Sequence, residues 1–293
     1  MNTATINRIA VWFYIGLFFL YLFGPLAIMG ITAFNSSSYP QVYPFEGFTL
    51  KWFDGLLNDA DIVYGLRNSL WIGFLVVLVS VPVGLAAAIL MTQVYARARS
   101  FYYLIVVSPV LTPGVIIGIS TVIFWREMTG ATGTRFLYDG TLMTVVAQSS
   151  FISAYTMLIF LARLQRFDRA QEEAALDLGA SHPQVFLHIL LPFMRPAILS
   201  AAALAFLSSF ENYNTTTFSI LADKTLTTVL AGRLRQGTTP AISALAVLII
   251  AVTFLGAVAF ELVKRREEAA KAARLRQAQR EEDRSLAPAG MKS

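Results

Sequence analysis

Six long apolar stretches, at residues 9–34, 68–93, 102–125, 141–162, 196–215 and 239–263, alternate with polar segments along the chain. Each reaches the ~20 residues a helix needs to cross a hydrocarbon layer of ~30 Å. The pattern predicts an all-α, polytopic membrane protein with six transmembrane helices. The first stretch is far longer than the ~7–15-residue apolar core of a secretory leader, so it reads as an uncleaved anchor. The fifth is the least regular, because SSFENYNTTT makes its outer half polar.

The polar segments differ in character. Residues 35–66 are rich in Ser, Pro and aromatics, and Leu50, Trp52, Phe53, Leu56 and Leu57 set against Lys51, Asp54 and Asn58 predict a short amphipathic helix. Such a helix suits the membrane interface; contact with a soluble protein is the alternative. Residues 168–192 carry dense punctuation. Asp168 with Gln171 predicts a capping box, Gly179 a left-handed helix end, and Ser181 with Gln184 a second box around Pro183. That second helix is expected to stop before Pro192. A helix–turn–helix projecting into water follows. Residues 216–238 read as an outer loop dipping back toward the membrane.

Composition reinforces the membrane reading. Charged residues are 14% of the 293 and hydrophobic ones 56%, with mean hydropathy +0.61; a soluble domain carries about a quarter charged residues. The net charge is +5, and its placement sets the orientation. Basic loops stay cytoplasmic, and six spans put both termini on one side. That side holds Arg8, Arg97, Arg99, Arg163, Arg166, Arg169, Arg195 and the tail from Lys264 onward. Both termini and the 168–192 segment are therefore expected in the cytoplasm. The tail, with Glu267 four residues before Lys271, reads as a charged helix, ending in a disordered Ala287–Gly290 stretch.

Inside the spans, Pro82 and Gly84, then Pro109, Pro113, Gly114 and Gly118, predict interrupted or closely packed helices. The Pro109/Pro113 pair points to a pathway lining. Gln148, Ser149, Ser150 and Ser153 are expected to bond between helices, with contact to solute as the alternative. Glu211 is an ionisable group about 22 Å along the fifth helix from Pro196, and such groups mark solute paths when they face a bundle interior. Asn212 and Tyr213 extend that patch, while Phe210 and Tyr213 offer aromatic faces to a cation. Pairing of Glu211 with Arg233 or Arg235, or contact with interfacial water, is the alternative.

Other chemistry is missing. With no Cys there is neither a disulfide framework nor a Cys-ligated metal. His182 and His188, six apart, are not on one helix face and lack a third ligand, so no metal site is expected. No Ser/His/Asp arrangement and no phosphate-binding G-x4-G-K-[ST] loop is present, so the chain is expected to be non-catalytic.

Glu173-Ala174-Ala175, Gly179, then Ile189-x-Leu191-Pro192 match EAA-x3-G-x9-I-x-L-P at every fixed position. The segment resembles the EAA loop of ATP-binding-cassette importer permeases, and the likeness extends over about residues 65–262. The resemblance implies the type I importer permease fold in a bacterial inner membrane. It divides the chain into an N-terminal helix and periplasmic loop (1–64), the permease core (65–262) and a cytoplasmic tail (263–293). It further implies two cytoplasmic ATPase subunits holding ATP and magnesium, with no cofactor on this chain, a second permease subunit and a periplasmic solute-binding protein. Glu173, Ala174, Ala175, Gly179, Ile189, Leu191 and Pro192 would couple to the ATPase. LPFMRPAILSAAALAFLSSFEN and TLTTVLAGRLRQGTTPAISALAVL are closest to the spermidine/putrescine branch, although Glu211-Asn212 stands where that branch usually has paired acids. Another amine, an aminophosphonate or iron, or an ion-coupled secondary transporter, is the alternative.

Overall fold

The computed structural model describes residues 3–256 apart from position 238, together with 258 and 262. Among them every regular element is helical. The expectations for the charged tail, residues 263–293, lie outside the described residues. The chain divides into two compact units, Met1–Leu56 with Thr238–Ser293, and Leu57–Gly237.

In the first unit, α1 (Thr3–Phe34) is a long apolar helix whose aromatic residues, among them Trp12, Phe13 and Tyr21, face outward. The following loop winds around Asn35, which is fully buried. Its amide donates to the carbonyls of Gln41 and Pro44, and its Oδ1 accepts from the backbone of Ser37 and Glu46. One side chain thus replaces the missing secondary structure of a loop that must satisfy its own backbone. Trp52 on the expected short helix α2 (Lys51–Leu57) donates its indole N–H to the Asn35 carbonyl at 2.8 Å. The sixth apolar stretch forms α12 over Pro240–Gly256.

The second unit is built on α3 (Ala60–Gln93), α6 (Gly140–Leu164) and α9 (Leu191–Phe210), which pack side by side. Gln148 on α6 meets Ser209 on α9, and Arg163 meets Phe193, so these two helices run antiparallel. Ile72, Val76, Val145, Ile152, Ala205 and Ile220 form one buried cluster. Ala88, Met157, Phe160, Met194, Ala197 and Ala201 form another. Gly84 lets α3 approach α6 between them: a Cβ there would stand 2.8 Å from the Ser153 carbonyl and the Met157 amide. Close approach through small residues is the usual way helices associate where solvent gives no hydrophobic drive.

Of the sequence expectations, one about the breaks in the spans is met here and two need correction. The third apolar stretch is interrupted where its prolines predict: α4 (Ala96–Leu111) and α5 (Gly114–Thr132) meet at a 98° bend. Pro113 caps α5 without an N–H to continue the ladder, and Thr112 is driven to an extended conformation before it. Among the described residues four helices are long and apolar enough to cross a membrane, or five if the bent pair is one span, a number compatible with six. Residues 216–238 are not a loop; they hold α10 (Thr216–Ser219) and α11 (Leu226–Gln236). Finally, the helix does not stop before Pro192. After α8 (His182–Val185) the turn widens into a π-helical segment, Phe186–Leu190, and runs straight into α9. The Leu191 N–H reaches back five residues to the Phe186 carbonyl. A wider turn relieves the clash that a proline ring makes with the carbonyl four residues before it.

Candidate functional site

The elbow between α6 and α9 is defined almost entirely by local bonds. α7 (Ala170–Asp177) buries none of its residues. Asp168 accepts from the Ala170 N–H at 3.0 Å, but the expected box with Gln171 does not form, because Arg169 rather than Asp168 stands at the cap position. At the other end Gly179 takes φ +88°. Its N–H donates to Leu176 and that of Ala180 donates to Ala175, the two bonds of a Schellman ending. Gln184 Oε1 then accepts both the backbone N–H (2.8 Å) and the hydroxyl (3.0 Å) of Ser181, the returning half of the expected second box.

The motif residues divide by exposure. Glu173, Ala174 and Gly179 are exposed, Ala175 is half-buried, and nothing lies within 4 Å of a Cβ built on Gly179. Ile189, Leu191 and Pro192 are half-buried and root the elbow in the helical bundle. Behind them, Arg163 stands 4.1 Å over the Phe193 ring and donates to the Phe193 carbonyl from two nitrogens. Cation–π attraction of this kind contributes about 0.5–2 kcal/mol, fixing the start of α9 to the end of α6. Sequence reading missed Leu178. It is 89% exposed on the tip of the elbow, an apolar knob beside a 390 Å³ hollow lined by Gly179, Gln184, His188 and Ile189.

At the far end of the same helices the polar residues are mostly consumed by the fold. Gln148 accepts from the Ser209 hydroxyl and donates to Thr216, while Thr144 meets Ser219 at 2.9 Å. This is the inter-helix bonding expected of Gln148. Asn212 caps α10: its Oδ1 accepts from the Thr215 and Thr216 N–H groups. Gly114 and Gly118 of α5 receive Thr215 of this turn in close contact. Beyond it, Leu226 donates to Ser69, Lys224 pairs with Asp61 (2.9 Å), and Arg233 pairs with Asp59 (2.6 Å). Burial pulls the Asp59 carboxyl upward, but the Arg233 hydrogen bond and charge and the Ile62 and Asp61 amides outweigh it and hold it below its ordinary value.

Glu211 is left over. It ends α9, is exposed, and its carboxylate makes no ion pair or hydrogen bond among the described residues. The alternative of pairing with Arg233 or Arg235 is not realised: Arg233 is on Asp59, and Arg235 donates to the Tyr213 hydroxyl at 2.9 Å. Glu211 lines a 400 Å³ cleft together with Asn212, Tyr213 and Asn214, and with Phe151, Tyr155, Leu204 and Ser208 from the facing stripes of α6 and α9. Of the expected pathway residues, the cleft gathers Glu211, Asn212 and Tyr213. Phe210 stacks on Phe206 outside the lining, and Pro109 and Pro113 belong to the α4–α5 break. Phe151 and Tyr155 had no polar signal to single them out in an aromatic-rich chain.

Residues 80–268 match the family described as binding-protein-dependent transport system inner membrane component. The putrescine transport system permease protein PotI of Escherichia coli K12 is 32% identical over 255 residues, covering 85% of this chain and 89% of that protein. The spermidine/putrescine transport system permease protein PotC of Haemophilus influenzae is 24% identical over 249 residues, covering 85% and 93%. In structure, the chain resembles a bacterial ABC transporter involved in the import of the acidic polysaccharide alginate, with TM-score 0.66 and 20% identity, covering 88% of this chain and 95% of that one. An amino acid ABC transporter chain gives TM-score 0.51 at 21% identity, covering 75% and 100%. The chain therefore belongs to the binding-protein-dependent transport system inner membrane components, the non-catalytic, multi-pass permease subunits of ATP-binding-cassette importers.

Proposed function

We propose that this permease carries a linear amine of the putrescine and spermidine class into the cytoplasm, with the solute handed over by a periplasmic binding protein. The observation that carries the substrate class is Glu211, an unpaired carboxylate in a cleft whose other lining residues are aromatic, apolar or neutral. A lone negative charge attracts a cation and repels an alginate- or phosphonate-like anion. The names of the two relatives agree with that sign.

The motor is supplied from outside. Two ATPase subunits, holding ATP and magnesium, dock on residues 168–192 at the cytoplasmic face, with both termini of this chain on the same side. Glu173, Ala174, Ala175 and Gly179 present a small-residue surface to the partner, and Leu178 inserts beside them. Ile189, Leu191 and Pro192 pass the motion to α9. A second permease subunit completes the translocation path. The elbow's support is mechanical: its bonds are mostly internal, with one tie from Arg169 to the Thr92 carbonyl at the end of α3, and its outer face is exposed.

Uptake of radiolabelled putrescine into cells carrying the whole operon tests the proposal. Uptake is expected with the intact system, and loss of uptake together with loss of ATPase co-purification is expected for Glu173→Lys. Normal uptake without the ATPase would favour an ion-coupled carrier and end this reading.

A further inference from the structure

We propose that the Glu211 cleft is an elongated subsite for one alkylammonium end of the solute, with Phe151 and Tyr155 as its specificity-determining walls. The inference rests on the amine-import reading and gives it a geometry. The Ser209–Gln148 bond sets the register of the antiparallel helices α9 and α6. In that register Phe151 lies about 7.5 Å, and Tyr155 about 13.5 Å, closer to the elbow along the helix pair than Glu211, at about 1.5 Å rise per residue. One charge thus stands at the outer end and two aromatic rings follow below it. The rings meet edge to face, with centroids 6.3 Å apart, and both line the cleft. Leu204 and Ser208 complete the facing wall one helical turn apart.

An extended chain with a charged head fits this order of chemistry. The carboxylate takes the ammonium, and the rings take the methylene stem and any second ammonium through their faces. A compact, branched or anionic solute meets no complementary group below Glu211. The absence of a second carboxylate has a direct consequence: selectivity for a second charge comes from ring faces, which tolerate alkylated ammonium as readily as primary. The Asn212 Oδ1 is not available as an acceptor for the ammonium, since the α10 cap occupies it.

The experiment uses the complete transporter, with its binding protein and ATPase, in proteoliposomes. Uptake of 1,4-diaminobutane and ATP hydrolysis are measured in parallel for wild type, Phe151→Leu, Tyr155→Leu and Tyr155→Phe. The two Leu variants are expected to raise the half-saturating concentration of delivered solute about three- to tenfold, with basal ATP hydrolysis retained. Tyr155→Phe, which keeps the ring, is expected to stay within about twofold of wild type. Wild-type diamine uptake with unchanged Leu variants overturns the subsite and leaves amine import standing. An intact, ATP-hydrolysing wild type that moves no diamine overturns the import reading, and the subsite with it. Equal loss in Tyr155→Phe and Tyr155→Leu overturns the ring-face assignment in favour of a hydroxyl contact.

Discussion

The two ends of the α6–α9 pair solve opposite problems with polar residues. At the elbow most stabilising bonds run between residues close in sequence, with Arg169 on the Thr92 carbonyl and Arg163 on the Phe193 carbonyl as its longer ties, and α7 buries none of its residues. Its shape therefore rests mainly on local bonds, and its surface stays available. At the cleft end, side chains bond across long separations: Gln148 to Ser209 and Thr216, Asp59 to Arg233, Tyr64 to Asp223, Asn68 to the Lys224 carbonyl. Polarity there is largely spent on holding helices together, and Glu211 is the charge it leaves over. A polar cluster in a span is thus a poor guide to a solute path until its internal bonds have been counted.

The sharpest way to break this contrast is at the elbow. Glu173→Lys is expected to abolish uptake and ATPase co-elution while leaving the folded permease intact, because α7 makes no core contact. A Glu173→Lys chain that failed to fold would show the elbow to be part of the core. Next comes Glu211→Gln, expected to lower solute uptake roughly tenfold, about 1.4 kcal/mol, with ATPase co-elution unchanged; full uptake would remove Glu211 from the path.

Gln148→Leu should behave in the reverse sense. Leaving Ser209 and Thr216 without their buried partner costs about 1–3 kcal/mol, read as a lower midpoint in detergent unfolding, and an unchanged midpoint would show the network to be dispensable. The smallest effect is expected from Asp59. Its pair with Arg233 is partly exposed and contributes at most about 1 kcal/mol. Because the folded carboxyl titrates below its ordinary value, that contribution is complete above the unfolded pKa of about 3.9. It is lost as pH falls through the depressed folded value. Asp59→Asn should remove this acid-side dependence, and a variant whose unfolding profile still tracks wild type below pH 4 would show the pair to be inert.

Much of the elbow was legible in the residues. Gly179 was readable as a left-handed ending, since an L side chain rarely adopts φ +88°, and Ser181 with Gln184 announced the next turn. Asp168 misled by one residue, an error typical of helix boundaries. Pro192 misled for a different reason. A proline normally ends the helix before it, but a π-turn can absorb its ring, and single-residue propensity carries no trace of that choice.

The sequence alone determined the membrane class, the segments apolar enough to span, and the family, because length, hydropathy and a motif of fixed spacing are local quantities. Tertiary structure decided which polar side chains remain free. Gln148 became a tie between helices and Arg233 the partner of Asp59, through bonds joining residues 68 and 174 positions apart. Distance in sequence hides such partners, and only packing three helices side by side brings them within reach of one another.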